Sequence, residues 1–153
     1  MGDTGMNNAA HMTPTQHLHS LYMAHHRERY PNVPAACIPK PDYKLTETNG
    51  LTRAIIDFIR FSGGHSERVN TMGRQIKSKS GKQIWITTTA TKGSADIHGL
   101  YHGKALFIEV KNAATHDRIR PKQVEYANRV AMAGGLYYVA TTFDSFYKWF
   151  QTI

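Results

Sequence analysis

The chain has 153 residues, enough for one domain with a two-layer core, and its single cysteine, Cys37, excludes an intrachain disulfide framework or a cysteine-built zinc site. Nineteen Lys and Arg against eleven Asp and Glu give a formal charge of +8, a field that favours polyanions, nucleic acid first among them. No apolar run approaches the ~18 residues of a membrane span, and the N-terminus lacks the basic-then-apolar order of a secretory signal; a soluble, cytoplasmic protein with no membrane partner is expected.

Residues 1–44 differ from the rest. They are small and polar, with repeated Met, prolines at 31, 34, 39 and 41, and five of the nine histidines. A mostly irregular N-terminal arm is expected there, with a short helix near "TQHLHSLYMAHHRERY". The pairs His17/His19 and His25/His26 lack accompanying Cys or patterned carboxylates, so a metal site is not assigned to them.

The folded domain is placed at 45–153. In "LTETNGLTRAIIDFIRFSGG", Leu51, Ile55, Phe58 and Ser62 recur at helical spacing, with Thr46 or Thr48 as caps and Gly63-Gly64 as the stop. "HSERVNTMGRQIKSKSGKQIWITT" reads as strand, basic turn and strand, which would cluster Lys77, Lys79 and Lys82 on a loop. That loop is either a solvated hairpin tip or a phosphate contact.

"SADIHGLYHGKALFIEVKN" predicts a short strand ending near Ile97, a tight connection containing Gly99 and Gly103, and a longer strand from Lys104 to Lys111. "RPKQVEYANRVAMAGG" predicts a helix with Pro121 in its first turn and Val124, Ala127, Val130 and Ala131 on one side. "LYYVA" then reads as a strand, and "DSFYKWF" as a closing helix capped by Asp144 or Ser145. Helix, strands, helix, strand and helix in that order predict an α/β fold with a mixed β-sheet flanked by helices.

In an extended strand, positions i and i+2 share a face, so Glu109 and Lys111 project together while Leu106, Ile108 and Val110 point the other way. If Asp96 ends the adjoining strand, two carboxylates meet, and they repel unless a positive group sits between them. An ordinary strand-end ion pair is one explanation. The other is a hard divalent cation such as Mg²⁺, held by carboxylate oxygens and a backbone carbonyl and completed by substrate phosphate.

"ADIHGLYHGKALFIEVK", with "KGSAD" before it and "PKQ" after, resembles the PD-(D/E)XK nuclease superfamily, and within it the virus-type replication-repair nuclease (VRR-NUC) and Holliday-junction-resolvase-like group. The resemblance spans about residues 47–140. It implies a restriction-endonuclease-like core of order αβββαβ with a C-terminal helix added, and a Mg²⁺- or Mn²⁺-dependent endodeoxyribonuclease acting in DNA replication, recombination or repair. Asp96, Glu109 and the Val110 carbonyl would hold the metal, Lys111 would handle the attacking water, and Gln123 would position it.

Ala95 stands where the family name advertises Pro, which leaves the ligands unaltered. Glu47 is the only candidate for the acid that the family's first helix often supplies, and a helix-dipole acid is its plainer role. For Gln123 the plainer role is a satisfied buried amide. Lys92, Arg118, Arg120 and Lys122 flank the site as expected phosphate contacts, or else as a solvated charged loop. The partner expected is DNA; a homodimer would suit two-fold junctions, and replication or repair proteins would be further partners. The rival expectation is a non-catalytic nucleic-acid-binding protein of the same fold.

Overall fold

The computed structural model of the chain describes residues 12–70, 73–86 and 90–153, so residues 1–11 of the expected arm lie outside the described residues. The first element is helix α1 (Pro14–Arg29). Its capping box is complete: the Thr13 hydroxyl accepts from the Gln16 N–H at 3.2 Å, and the Gln16 side chain accepts from the Thr13 N–H at 2.8 Å. This is the helix expected near "TQHLHSLYMAHHRERY", 16 residues long and packed on the domain. α1 is only weakly amphipathic, and packing fixes it: Leu18 is fully buried, and His17 Nδ1 lies 2.9 Å from the Tyr147 hydroxyl.

Helix α2 (Thr48–Phe61) carries a strong apolar stripe, with Leu51, Ala54, Ile55, Phe58 and Ile59 at 0–1 % exposure. It ends ahead of the Gly63-Gly64 pair, as expected. Phe58 sits at the centre of an aromatic core, with the rings of His17, Phe143, Tyr147 and Phe150 set edge-on to it at 5.4–5.7 Å.

The principal sheet contains β1 (His65–Arg68), β4 (Ile97–Tyr101), β5 (Lys104–Val110) and β6 (Leu136–Ala140), in the order β1-β4-β5-β6. β1, β4 and β5 are antiparallel neighbours, while β6 runs parallel to β5. Helix α3 (Pro121–Met132) makes the crossover between β5 and β6, and helix α4 (Phe143–Phe150) follows β6. The cap of α4 is Thr142, whose hydroxyl accepts from the Ser145 N–H, not Asp144 or Ser145 themselves.

β2 (Arg74–Lys77) and β3 (Gln83–Ile86) pair only with each other in a separate antiparallel hairpin inserted between β1 and β4. Among the described residues the protein is thus a mixed α/β structure of four α-helices, a mixed four-stranded sheet and a two-stranded hairpin. Leu106, Ile108 and Val110 of β5 and Ile97 of β4 bury one face of the sheet in the core shared with α2 and α4. No helix among the described residues is long and apolar enough to cross a membrane.

Two sequence expectations are corrected. The strand near Ile97 begins there instead of ending, Gly99 lies within it, and the connection to β5 is the His102-Gly103 turn. In α3 the inward positions are Gln123, Tyr126, Ala127 and Val130, whereas Val124 and Ala131 face outward. The amide at 123 thus belongs to the stripe that faces the sheet.

Candidate active site

The antiparallel register pairs Ile97 with Ile108. Continued by one residue, it places Asp96 opposite Glu109 on the same face of the sheet. This needs Asp96 at the start of β4, because only there does it share an end of the sheet with the C-terminus of β5. The Val110 N–H donates to Asp96 Oδ2 at 2.9 Å and fixes that carboxylate against β5. Like charges directly opposite one another destabilise a sheet, so the pair calls for a compensating positive group.

Part of the compensation comes from the chain. Lys111, 7 % exposed, places its Nζ 3.2 Å from Glu109 Oε1 and 2.8 Å from Asp117 Oδ2. Gln123 donates through Nε2 to the same Glu109 oxygen, while its own Oε1 accepts from the Arg120 N–H at 2.8 Å. The first turn of α3 thereby holds the amide in one orientation. Glu109 Oε2 remains buried with no hydrogen-bond partner among the described residues, an acceptor whose desolvation no described protein group offsets.

Burial, and then the neighbouring Asp96 charge, push the Glu109 pKa up to about 7 against the opposing pull of Lys111. Burial works to lower the Lys111 pKa, but its bonds to Asp117 and Glu109 outweigh this and raise it, so Lys111 stays an ammonium. Asp117 is held below the usual carboxylate range, chiefly by its bond to Lys111. Burial and then the charges of Glu109 and Asp96 push the Tyr137 phenol upward; its hydroxyl is buried without a partner.

The loop before β4 forms the opposite wall. Gly93 has φ +81°, and a Cβ there would stand 2.2 Å from the Lys122 carbonyl oxygen, so only glycine lets this loop lie against the start of α3. Ser94 is buried, with its hydroxyl 3.2 Å from His98 Nε2, and that nitrogen also lies 3.3 Å from the Tyr126 hydroxyl. Burial lowers the His98 pKa. Below β5, the Asn112 side chain donates to the Leu45 carbonyl at 2.9 Å and accepts from the Ala114 N–H, tying the strand end to the chain entering α2.

Asp96, Glu109, Val110, Lys111, Gln123, Lys92, Arg120 and Lys122 all line one open cleft of about 620 Å³. Five expected residues do not. Glu47 is the N-cap of α2, exposed and 3.8 Å from Lys44, and Thr48 takes the place on the cleft wall. Arg118 is exposed beside the cleft without lining it, and Lys77, Lys79 and Lys82 stand on the separate hairpin. Lys122 is engaged by Glu125 at 2.8 Å. His102 and His116 occupy left-handed turn positions away from the cleft wall. Thr48, Ser94 and Asp117 belong to the cleft and were not anticipated; Asp117 lies six residues beyond Lys111, in a loop whose path the sequence does not specify.

The donors suit a hard divalent cation: two carboxylates, one oxygen of which is buried and unpartnered, beside a strand-end backbone. No group of three or more His, Cys, Asp or Glu side chains gathers as a metal cage among the described residues. A cation here would complete its shell with water or substrate oxygens, as Mg²⁺ does. No protein-family model matches the chain, and no curated protein matches it.

Proposed function

We propose that this protein is a Mg²⁺- or Mn²⁺-dependent nuclease with a restriction-endonuclease-like core, hydrolysing DNA phosphodiester bonds in replication, recombination or repair. One observation carries the proposal: Asp96 and Glu109 face each other across β4 and β5 with Glu109 Oε2 buried and unpartnered, in a cleft that also holds Lys111 and Gln123. A structural ion pair would have satisfied both carboxylate oxygens.

Asp96, Glu109 and the Val110 carbonyl would hold the metal. Bound there, such an ion supplies Lewis-acid polarisation of the phosphoryl group and a more acidic water. The chain's own residues do the rest. Gln123, anchored to the Arg120 N–H, fixes the orientation of the Glu109 carboxylate. Lys111, held between Glu109 and Asp117, places a permanent positive charge where negative charge develops on phosphate oxygens, and orients the attacking water by donation. Lys92, Arg120 and the positive dipole end of α3 bring positive charge to the approaching strand.

The decisive experiment is cleavage of branched, nicked and single-stranded DNA with Mg²⁺, with Mn²⁺ and with chelator. Wild type should cut at least one substrate with metal and none without, and Lys111→Ala should reduce the rate by 10²-fold or more, roughly the loss of one oxyanion-stabilising donor. Binding without cleavage under both metals would leave the non-catalytic DNA-binding alternative.

A further inference from the structure

The β2–β3 hairpin stands outside the principal sheet, and among the described residues none of either strand lines the cleft. Every residue of β3 is exposed, including Ile84 (44 %), Trp85 (61 %) and Ile86 (41 %). An isolated hairpin is marginally stable in water, and a solvent-facing Ile-Trp-Ile strand adds apolar surface that folding does not use.

Its other features are electrostatic. From Arg68 to Ala95 the sequence holds six of the nineteen basic side chains, Arg68, Arg74, Lys77, Lys79, Lys82 and Lys92, and none of the eleven acids. The turn that carries the lysines is well built. The Ser78 N–H donates to the Lys82 carbonyl at 2.8 Å, the Gly81 N–H to the Ser78 carbonyl at 2.9 Å, and the Ser78 and Ser80 hydroxyls lie 2.8 Å apart.

The indole is held as well. A Cβ on Gly73 would lie 2.7 Å from Trp85 Nε1, so the backbone at 73 abuts the ring edge and restrains its rotamer while most of the side chain stays open. Ala90 on the cleft wall follows Ile86 by four chain steps, a span of at most about 14 Å.

We propose that this hairpin is a docking arm for single-stranded DNA leading to the cleft, with Trp85 as a base-stacking platform and Lys77, Lys79 and Lys82 as contacts to the phosphates. This deepens the nuclease reading and rests on it for the assignment of the cleft. A restrained, open indole beside a row of cations matches the two halves of an unpaired strand, a base face and a phosphate chain. Duplex DNA offers only the second half, since its bases are stacked on one another.

Binding measured by fluorescence anisotropy in chelator tests the arm independently of cleavage. The probes are an oligo(dT) of about 20 nucleotides and a blunt duplex of equal length, chosen to exceed one single-strand site. Trp85→Ala should weaken oligo(dT) binding by roughly 5- to 150-fold, the range for one stacked base. Trp85→Phe should recover most of it, and duplex binding should change less than twofold. K77A/K79A/K82A should reduce the slope of log affinity against log salt by about 2, from three single-strand phosphate contacts.

Unchanged oligo(dT) affinity in both Trp85→Ala and the triple variant would overturn the proposal, as would an equal loss on the duplex. The nuclease reading fails separately: wild type that cuts nothing with Mn²⁺, while Trp85→Ala still loses oligo(dT), removes the enzyme and leaves the arm.

Discussion

Glu109 is an acid whose fold makes ionisation costly, and the cost has a definite sign. Its pKa rises from the ordinary glutamate range to about 7 because burial, then Asp96, penalise its charge. Between those values the folded protein binds a proton that the unfolded chain has released, so stability falls as pH rises through that window. Glu109 should cost the metal-free protein roughly 1–3 kcal/mol of unfolding free energy between about pH 4.5 and pH 7, at about 1.4 kcal/mol for each tenfold difference in proton affinity between the folded and unfolded chain, while His98, its pKa lowered by burial, acts in the opposite sense below about pH 6.5. Glu109→Gln should flatten that slope and be the more stable of the two at neutral pH, as checked by urea denaturation in chelator; a parallel pH profile would refute it. The residues carrying this chemistry were legible because strand periodicity fixes which side chains share a face. Glu47 was misplaced for the converse reason. As the N-cap it has extended dihedrals, φ −102° and ψ 139°, so it lies outside the helical spacing that Leu51 and Ile55 follow. Asp117 escaped notice because a loop has no period to read.

The elements that position the cleft differ in how much of themselves the sequence reveals. α2 and β5 declare themselves by apolar stripes of period 3.6 and 2, and both were anticipated within a few residues. The extent of β4 was not, since "ADIHGLYHG" contains two glycines and either can be taken for the turn. The turn is at His102-Gly103, where both residues have positive φ, 47° and 78°. α1 was underestimated because only Leu18 and Leu21 mark its inner face, and its place depends on neighbours far along the chain, among them Phe58 and Tyr147. This element is not a detachable arm. Leu18→Ala should lower unfolding free energy by about 2–5 kcal/mol, the usual cost of emptying a fully buried leucine site, and should do so in one cooperative transition. A loss under about 0.5 kcal/mol, or a separate early transition by circular dichroism, would show that α1 folds independently of the domain.

Across the whole molecule the charge is unevenly spread, and that distribution gives the proposed cation a second, electrostatic consequence. Six of the eight net positive charges arise between Arg68 and Ala95, on the hairpin and the approach to the cleft. The cleft itself is the reverse, lined by Asp96, Glu109 and Asp117, the last two paired with one buried lysine. A phosphate drawn in by the rim therefore meets carboxylates in the cleft, and like-charge repulsion opposes its final approach. A divalent cation between Asp96 and Glu109 reverses the local sign without altering the rim. Ca²⁺ or Mn²⁺ should therefore tighten DNA binding by wild type several-fold relative to chelator. In the doubly neutralised D96N/E109Q the increment should vanish, and its affinity in chelator should equal or exceed that of wild type. Asn at position 96 keeps a carbonyl oxygen for the Val110 N–H, so the strand pairing has no reason to break. Titration of labelled DNA at fixed ionic strength measures both quantities. A metal increment that persists in the double variant would place the cation elsewhere; its absence from wild type would remove the metal from this cleft altogether.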